Sequence, residues 1–148
     1  MTTIRKAALE DVPALAPLFD AYRVFYDKAS DVHAAETFLK DRLEHNEAHV
    51  FVAEVDGNMV GFTLLYPLFS STRMKRLWLL NDLYVQPEFR GQGHSIALID
   101  AAKSLAVDTG AAGLMLETAK SNLIGNQLYP KTGFVCDDEH HYYSWNTQ

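Results

Sequence analysis

Residues 85–95 read Val-Gln-Pro-Glu-Phe-Arg-Gly-Gln-Gly-His-Ser, and this stretch constrains the fold more than any other. A β-branched and aromatic run ends at Val85, Pro87 breaks it, two glycines stand two apart, and an apolar helix pattern begins at Ser95. Glycines let a backbone come close to a ligand, and the unpaired amides at a helix start, together with the helix dipole, favour a bound anion. The stretch therefore predicts a strand-to-helix turn that can cradle a phosphate. The dinucleotide fingerprint would need a third glycine where Ile96 stands, and it would open a parallel unit; the ATP-binding loop would need a lysine after the second glycine. The chain meets neither requirement.

The elements around this turn follow from periodicity. Residues 3–6 read as a short strand. Val12, Leu15, Leu18, Phe19, Tyr22 and Tyr26 recur every three or four positions, as on an amphipathic helix. Ser30 or Asp31 can cap a second helix striped by Ala35, Phe38, Leu39 and Leu43 and running to about Asn46. Residues 49–55 and 59–68 flank Asp56-Gly57, a strong hairpin turn, and a third strand is expected over 75–85. A helix over 95–108 ends at Gly110, a strand follows over 113–118, a helix over 122–131 stops at Gly133, and a last strand is expected over 134–145. This pattern predicts one domain, residues 1–148, of the α/β (α+β) class. Its mixed, mostly antiparallel sheet would have six to seven strands, flanked by about four helices.

Composition narrows the function classes. The 148 residues carry a net charge of −6, which opposes general nucleic-acid binding and suits a cationic substrate. Cys136 is the one cysteine, so no internal disulfide forms, and no Cys/His set has zinc-ligand spacing; His140 and His141 would point to opposite faces of a strand. No metal is expected. No stretch reaches the ~20 apolar residues of a membrane span, and the first residues lack a signal-peptide core, which reads as a cytoplasmic protein.

The turn resembles the signature of the GNAT acetyltransferases, Arg/Gln-x-x-Gly-x-Gly/Ala after a strand and a Pro-Glu turn. Arg90, Gly91, Gln92 and Gly93 match it, and Ser95 stands at the final small position. A second block resembles the family's Asn-x-x-Ala-x-x-Leu-Tyr-x-x-x-Gly-Phe. It runs from Asn122 through Leu128 and Tyr129 to Gly133 and Phe134, with Gly125 in place of alanine. The resemblance covers essentially the whole chain and implies the GNAT fold, with acetyl-CoA or coenzyme A as co-substrate and an amine as acceptor. Within the family, the Tyr22–Tyr26 run, residues 80–83 and residues 116–119 most resemble the branch of the yeast histone and polyamine acetyltransferases. Related proteins of this branch commonly pair, so a homodimer is expected, its partner covering the edge of the long aromatic last strand.

The resemblance also implies roles for individual residues. Backbone groups of Leu83, Tyr84 and Val85 would hold the pantetheine arm, and Arg90, Gly91, Gln92, Gly93, His94 and Ser95 the pyrophosphate. Asn122 would hydrogen-bond the coenzyme. Tyr129 matches the tyrosine that protonates the leaving thiolate, and a phenol with a pKa near 10 keeps its proton at neutral pH. Asn81-Asp82 stands where the spermidine/spermine acetyltransferases have Glu-Asp, and Asn81 cannot accept a proton. Asp82 and Glu117 both remain open as the base. Tyr22, Tyr26, Tyr66 and Trp78, with Asn81, would line the acceptor pocket, since an aromatic wall beside a carboxylate suits a cation. The expected acceptor is a small cationic amine such as a polyamine or amino acid; protein acetylation and non-catalytic acyl-CoA sensing are the alternatives.

Overall fold

In the computed structural model, which describes residues 1–148, Asp56 and Gly57 both take positive φ, 50° and 83°. Such a pair makes the tight turn whose twist matches a hairpin, and it joins β2 (His49–Val55) to β3 (Asn58–Ser70). Around this hairpin, β1 (Thr2–Lys6) and β4 (Lys75–Val85) add antiparallel on either side, and β5 (Leu114–Met115) adds parallel to β4, in the order β1-β2-β3-β4-β5. The sheet is mixed, as expected. It has five strands, not six to seven.

Two compact units make up the chain, Met1–Glu117 and Thr118–Gln148. In the first, α1 (Val12–Phe25) and α2 (Val32–Glu44) bury Leu15, Leu18, Phe19, Ala35 and Leu39 on one sheet face, against Val50, Val52, Phe62 and Leu64. Each fully buried Leu or Phe contributes about 1.5–3 kcal/mol by leaving water. Asp31, not Ser30, caps α2 by accepting from Ala34 N at 3.0 Å, while Ser30 donates to Asp20. On the other face, α3 (His94–Asp108) sets Leu98 against Ala53, Val60 and Val85. His49 opens β2 beside Phe51 and Trp78; burial, reinforced by the Lys6 charge, lowers its pKa to about 4.

The second unit holds α4 (Leu123–Lys131), which ends where Gly133 takes φ 98°. The strand expected over 134–145 does not form, and those residues have no regular secondary structure. Asp137 supplies a reason. Its carboxylate accepts from Glu139 N (2.8 Å), His140 Nδ1 (2.7 Å) and Tyr142 Oη (3.0 Å), local bonds that compete with an extended ladder. The strand expected over 113–118 is also cut short, to two residues. No helix of the chain is long and apolar enough to cross a membrane.

Candidate active site

β4 is long and apolar but does not alternate cleanly, and the irregularity builds the site. Leu65 pairs with Leu80 and Leu64 with Asp82, so Asn81 is an extra residue, a β-bulge. Before the bulge, Trp78 lies on the α3 face, where its Nε1 donates to Thr109 Oγ1 at 2.9 Å. Strict alternation would put Asp82 on the same face as Trp78 and Leu80. The extra residue turns Asp82 and Tyr84 to the α1 face instead, opposite Leu64 and Phe62. Thr63 Oγ1 donates to Asp82 O at 2.8 Å, pinning the strand beside the bulge.

Asp82 then lies at a cleft of about 280 Å³ between α1 and the sheet. Of the residues expected at the acceptor pocket, the cleft brings together Tyr22, Tyr26, Tyr66 and Asn81. Trp78 is not among them, because it stands on the far face of the sheet. Glu117 is exposed beyond the end of β5. Phe19, Arg23, Lys28 and Phe38, which sequence reasoning missed, also line the cleft. A signal for two of them was present, since Phe19, Tyr22, Arg23 and Tyr26 are spaced as one helix face. Lys28 follows the helix and gave none.

The Asp82 side chain is only 5% exposed. Burial pushes its pKa up, against hydrogen bonds from Tyr22 and Asn81 that favour the charged form. The Asn81 amide reaches Asp82 Oδ1 at 3.1 Å, and the Tyr22 hydroxyl also lies 3.5 Å from Asn81 O. Tyr66 is raised to about 12, first by burial and then by the Asp82 charge, so it stays a neutral phenol. The arrangement is a buried carboxylate walled by aromatic rings, able to attract an ammonium group and take its proton.

A chain of rings connects this cleft to the glycine turn. Tyr22 packs on Tyr84 with centroids 6.1 Å apart, and the Arg90 guanidinium lies over both Tyr84 (5.4 Å) and Phe25 (5.5 Å). Arg90 Nε also donates to Val85 O at 2.8 Å, so the arginine braces the turn. Gly91 and Gly93 adopt φ of 76° and 85°, a left-handed conformation that favours glycine, with no atom within 4 Å of where a Cβ would stand. Ala97 N makes the first helical bond, to Gly93 O, which leaves the amides of His94, Ser95 and Ile96 ahead of the ladder. His94 is 4% exposed, and its Nε2 has no hydrogen-bond partner. Beside the turn, β4 pairs with β5 only at Trp78 and Leu79, so that ladder ends before Leu83 and Val85.

Asn122 and Tyr129 belong to the second unit. Asn122 caps α4, accepting from Gly125 N at 3.2 Å, and its amide donates to Thr118 Oγ1 at 2.9 Å. Gly125 is where the resembling block has alanine; a Cβ there would lie 2.5 Å from Asn122 Nδ2, so alanine would require the asparagine amide to move. The Tyr129 ring packs edge-on against Phe134, with centroids 5.7 Å apart.

Comparison with known proteins bears on this geometry. Residues 15–134 match the acetyltransferase (GNAT) family. An uncharacterized N-acetyltransferase of Bacillus subtilis, YhfO, is 46% identical over 143 residues, covering 97% of this chain and 96% of its own. The thialysine N-epsilon-acetyltransferase of Sus scrofa is 33% identical over 119 residues, 73% of this chain and 69% of its own. A crystal structure of a probable acetyltransferase superposes with a TM-score of 0.94 at 36% identity, covering 99% of this chain and 98% of that one.

Proposed function

The chain belongs to the GNAT family and is an N-acetyltransferase, and from that premise we propose that it moves an acetyl group from acetyl-CoA to the primary amine of a small cationic molecule, a polyamine, amino acid or similar. The observation that carries this reading is Asp82, a buried carboxylate that the Asn81 bulge turns into an aromatic cleft. A relative named for thialysine, an amine-bearing amino acid, supports an amine of this size. The family match extends across both units, which supports reading residues 1–148 as one catalytic domain.

The glycine turn fits the coenzyme. The left-handed glycines with open space above them and the amides at the start of α3 are donors suited to a pyrophosphate. When bound, acetyl-CoA supplies the acetyl group as a thioester. Arg90 to Ser95 would hold its phosphates, the backbone of Leu83 to Val85 its pantetheine arm, and Asn122 a polar group of the coenzyme. Asp82 attracts the acceptor ammonium and takes a proton from it, leaving a neutral amine able to attack; Tyr22, Tyr26, Tyr66 and Asn81 position that acceptor. Tyr129 holds the proton for the departing thiolate. Glu117, exposed and off the strand, is the weaker candidate, and Asp82 takes the role of base.

A homodimer is part of the proposal. Val135, Tyr143 and Trp145 are 91%, 91% and 84% exposed, an apolar load that a partner would shield. Light scattering that gave a mass near 16.6 kDa at high concentration would exclude it. A free-thiol assay over polyamines, amino acids and lysine peptides tests the activity. Thiol release with a small amine supports the reading; release with peptides alone would make the protein a protein acetyltransferase.

A further inference from the structure

The charge of the cleft wall does not match that of the whole molecule. The chain carries −6, yet the charged side chains lining the cleft are Arg23, Lys28 and the single carboxylate of Asp82. Neither cation is spent on an ion pair. Arg23 makes one hydrogen bond, Nη1 to Ala29 O at 3.3 Å, and Lys28 has no acidic partner within 4.0 Å. Asp20, the acid that senses Arg23 electrostatically, is 6% exposed and is satisfied by Ser30 Oγ and Asp31 N, each at 2.7 Å. Two cations without a direct ion-pair partner thus line the cleft of an otherwise acidic protein.

Position sharpens the contrast. Asp82 is buried on the sheet beneath the aromatic rings, whereas Lys28 is exposed just past the end of α1 and Arg23 is half-buried on its last turn. A ligand in this cleft meets the buried carboxylate of Asp82 on the sheet and two cations on the last turn of α1 and just past it. A polyamine would place its second ammonium against Arg23 and Lys28, where like charges repel. A molecule with an amine at one end and an anion at the other satisfies both, and the planar guanidinium of Arg23 is suited to a bidentate carboxylate.

We infer that the acceptor is an amine that also bears a carboxylate, an amino acid rather than a polyamine, with its anion on Arg23 and Lys28 and its amine at Asp82. This rests on the acetyltransferase reading above and narrows its substrate class.

The test compares amino acids with the amines left when their carboxylate is removed: lysine with cadaverine, ornithine with putrescine. Wild-type kcat/KM should be at least about tenfold higher for the amino acid of each pair, a difference of about 1.4 kcal/mol in transition-state binding. Arg23→Glu and Lys28→Glu should each raise the KM for the amino acid and move the ratio toward the diamine. Lys28 is exposed, so its variant folds even if the Arg23 variant does not. A wild-type preference for the diamines, or a ratio unmoved in Lys28→Glu and in a folded Arg23→Glu, overturns the inference and leaves the acetyltransferase reading intact. Thiol release with neither series overturns the inference, and release with lysine peptides alone would overturn the small-amine reading with it.

Discussion

Asn81 donates its side-chain amide to Asp82 Oδ1 at 3.1 Å, so the residue standing where the resembling polyamine enzymes have glutamate orients its neighbour instead of acting on a proton itself. Asp82→Asn should therefore cut turnover by about 10²- to 10⁴-fold, the usual worth of a general base. Folding should respond differently. Burial raises the Asp82 pKa, so the native state holds that proton more tightly than the unfolded chain. Stability is then lost as pH rises from the unfolded carboxylate value of 3.8 through the native one, and at neutral pH the buried charge opposes folding. The neutral variant should melt no lower than wild type at pH 7. Undiminished turnover in a folded Asp82→Asn protein would pass the role of base to Glu117.

Gly93 holds φ 85° at the start of α3. A β-branched residue is strained there, and the turn must reshape around it. Gly93→Val should weaken coenzyme A binding at least about tenfold, whereas Gly93→Asn, which tolerates the left-handed region, should lose less. Calorimetry on both variants checks the order, and wild-type affinity in Gly93→Val would place the coenzyme elsewhere.

Tyr129→Phe separates a proton donor from a packing residue. Loss of a hydroxyl used mainly in the transition state lowers kcat by about 10²-fold or more and leaves coenzyme affinity nearly unchanged. The ring, with its contact to Phe134, is retained. Equal turnover per folded molecule would remove the phenol from the mechanism.

His49 predicts an acid limb of stability. Its pKa falls from 6.5 to about 4 on folding, chiefly through burial, so the unfolded chain binds the proton more readily. Stability then declines as pH drops from 6.5 toward 4. His49→Gln should flatten the melting-temperature profile across that interval. An unchanged slope would assign the limb to other groups.

Most of the framework was legible because its signals are local. The Asp56-Gly57 turn, the helical spacing of α1 and the proline and glycines after Val85 set β2, β4 and α3 within a residue of their observed ends. Local signals failed where partners decide the outcome. β5 was expected to be longer, but the ladder stops before the Asn81 bulge, and a bulge arises from the pairing of two strands. The aromatic run after Gly133 looked like a strand until Asp137 gathered its neighbours into a turn. The same bulge separates Trp78 from the acceptor pocket: the resemblance named the strand that lines the pocket, but which of its residues face the cleft depends on one unpaired residue.

The close approach between Gly125 and Asn122 also restricts how these two positions can change over time. Alanine at 125 would meet the asparagine amide at 2.5 Å, so it becomes acceptable only once that amide has swung away or been replaced. Alanine at this site would require the asparagine in another rotamer, while glycine here leaves the side chain free to fold back over the first turn of its own helix. The two positions are therefore coupled through one rotamer: a methyl group at 125 displaces the amide from its bond to Thr118, and the turn before α4 loses that tie.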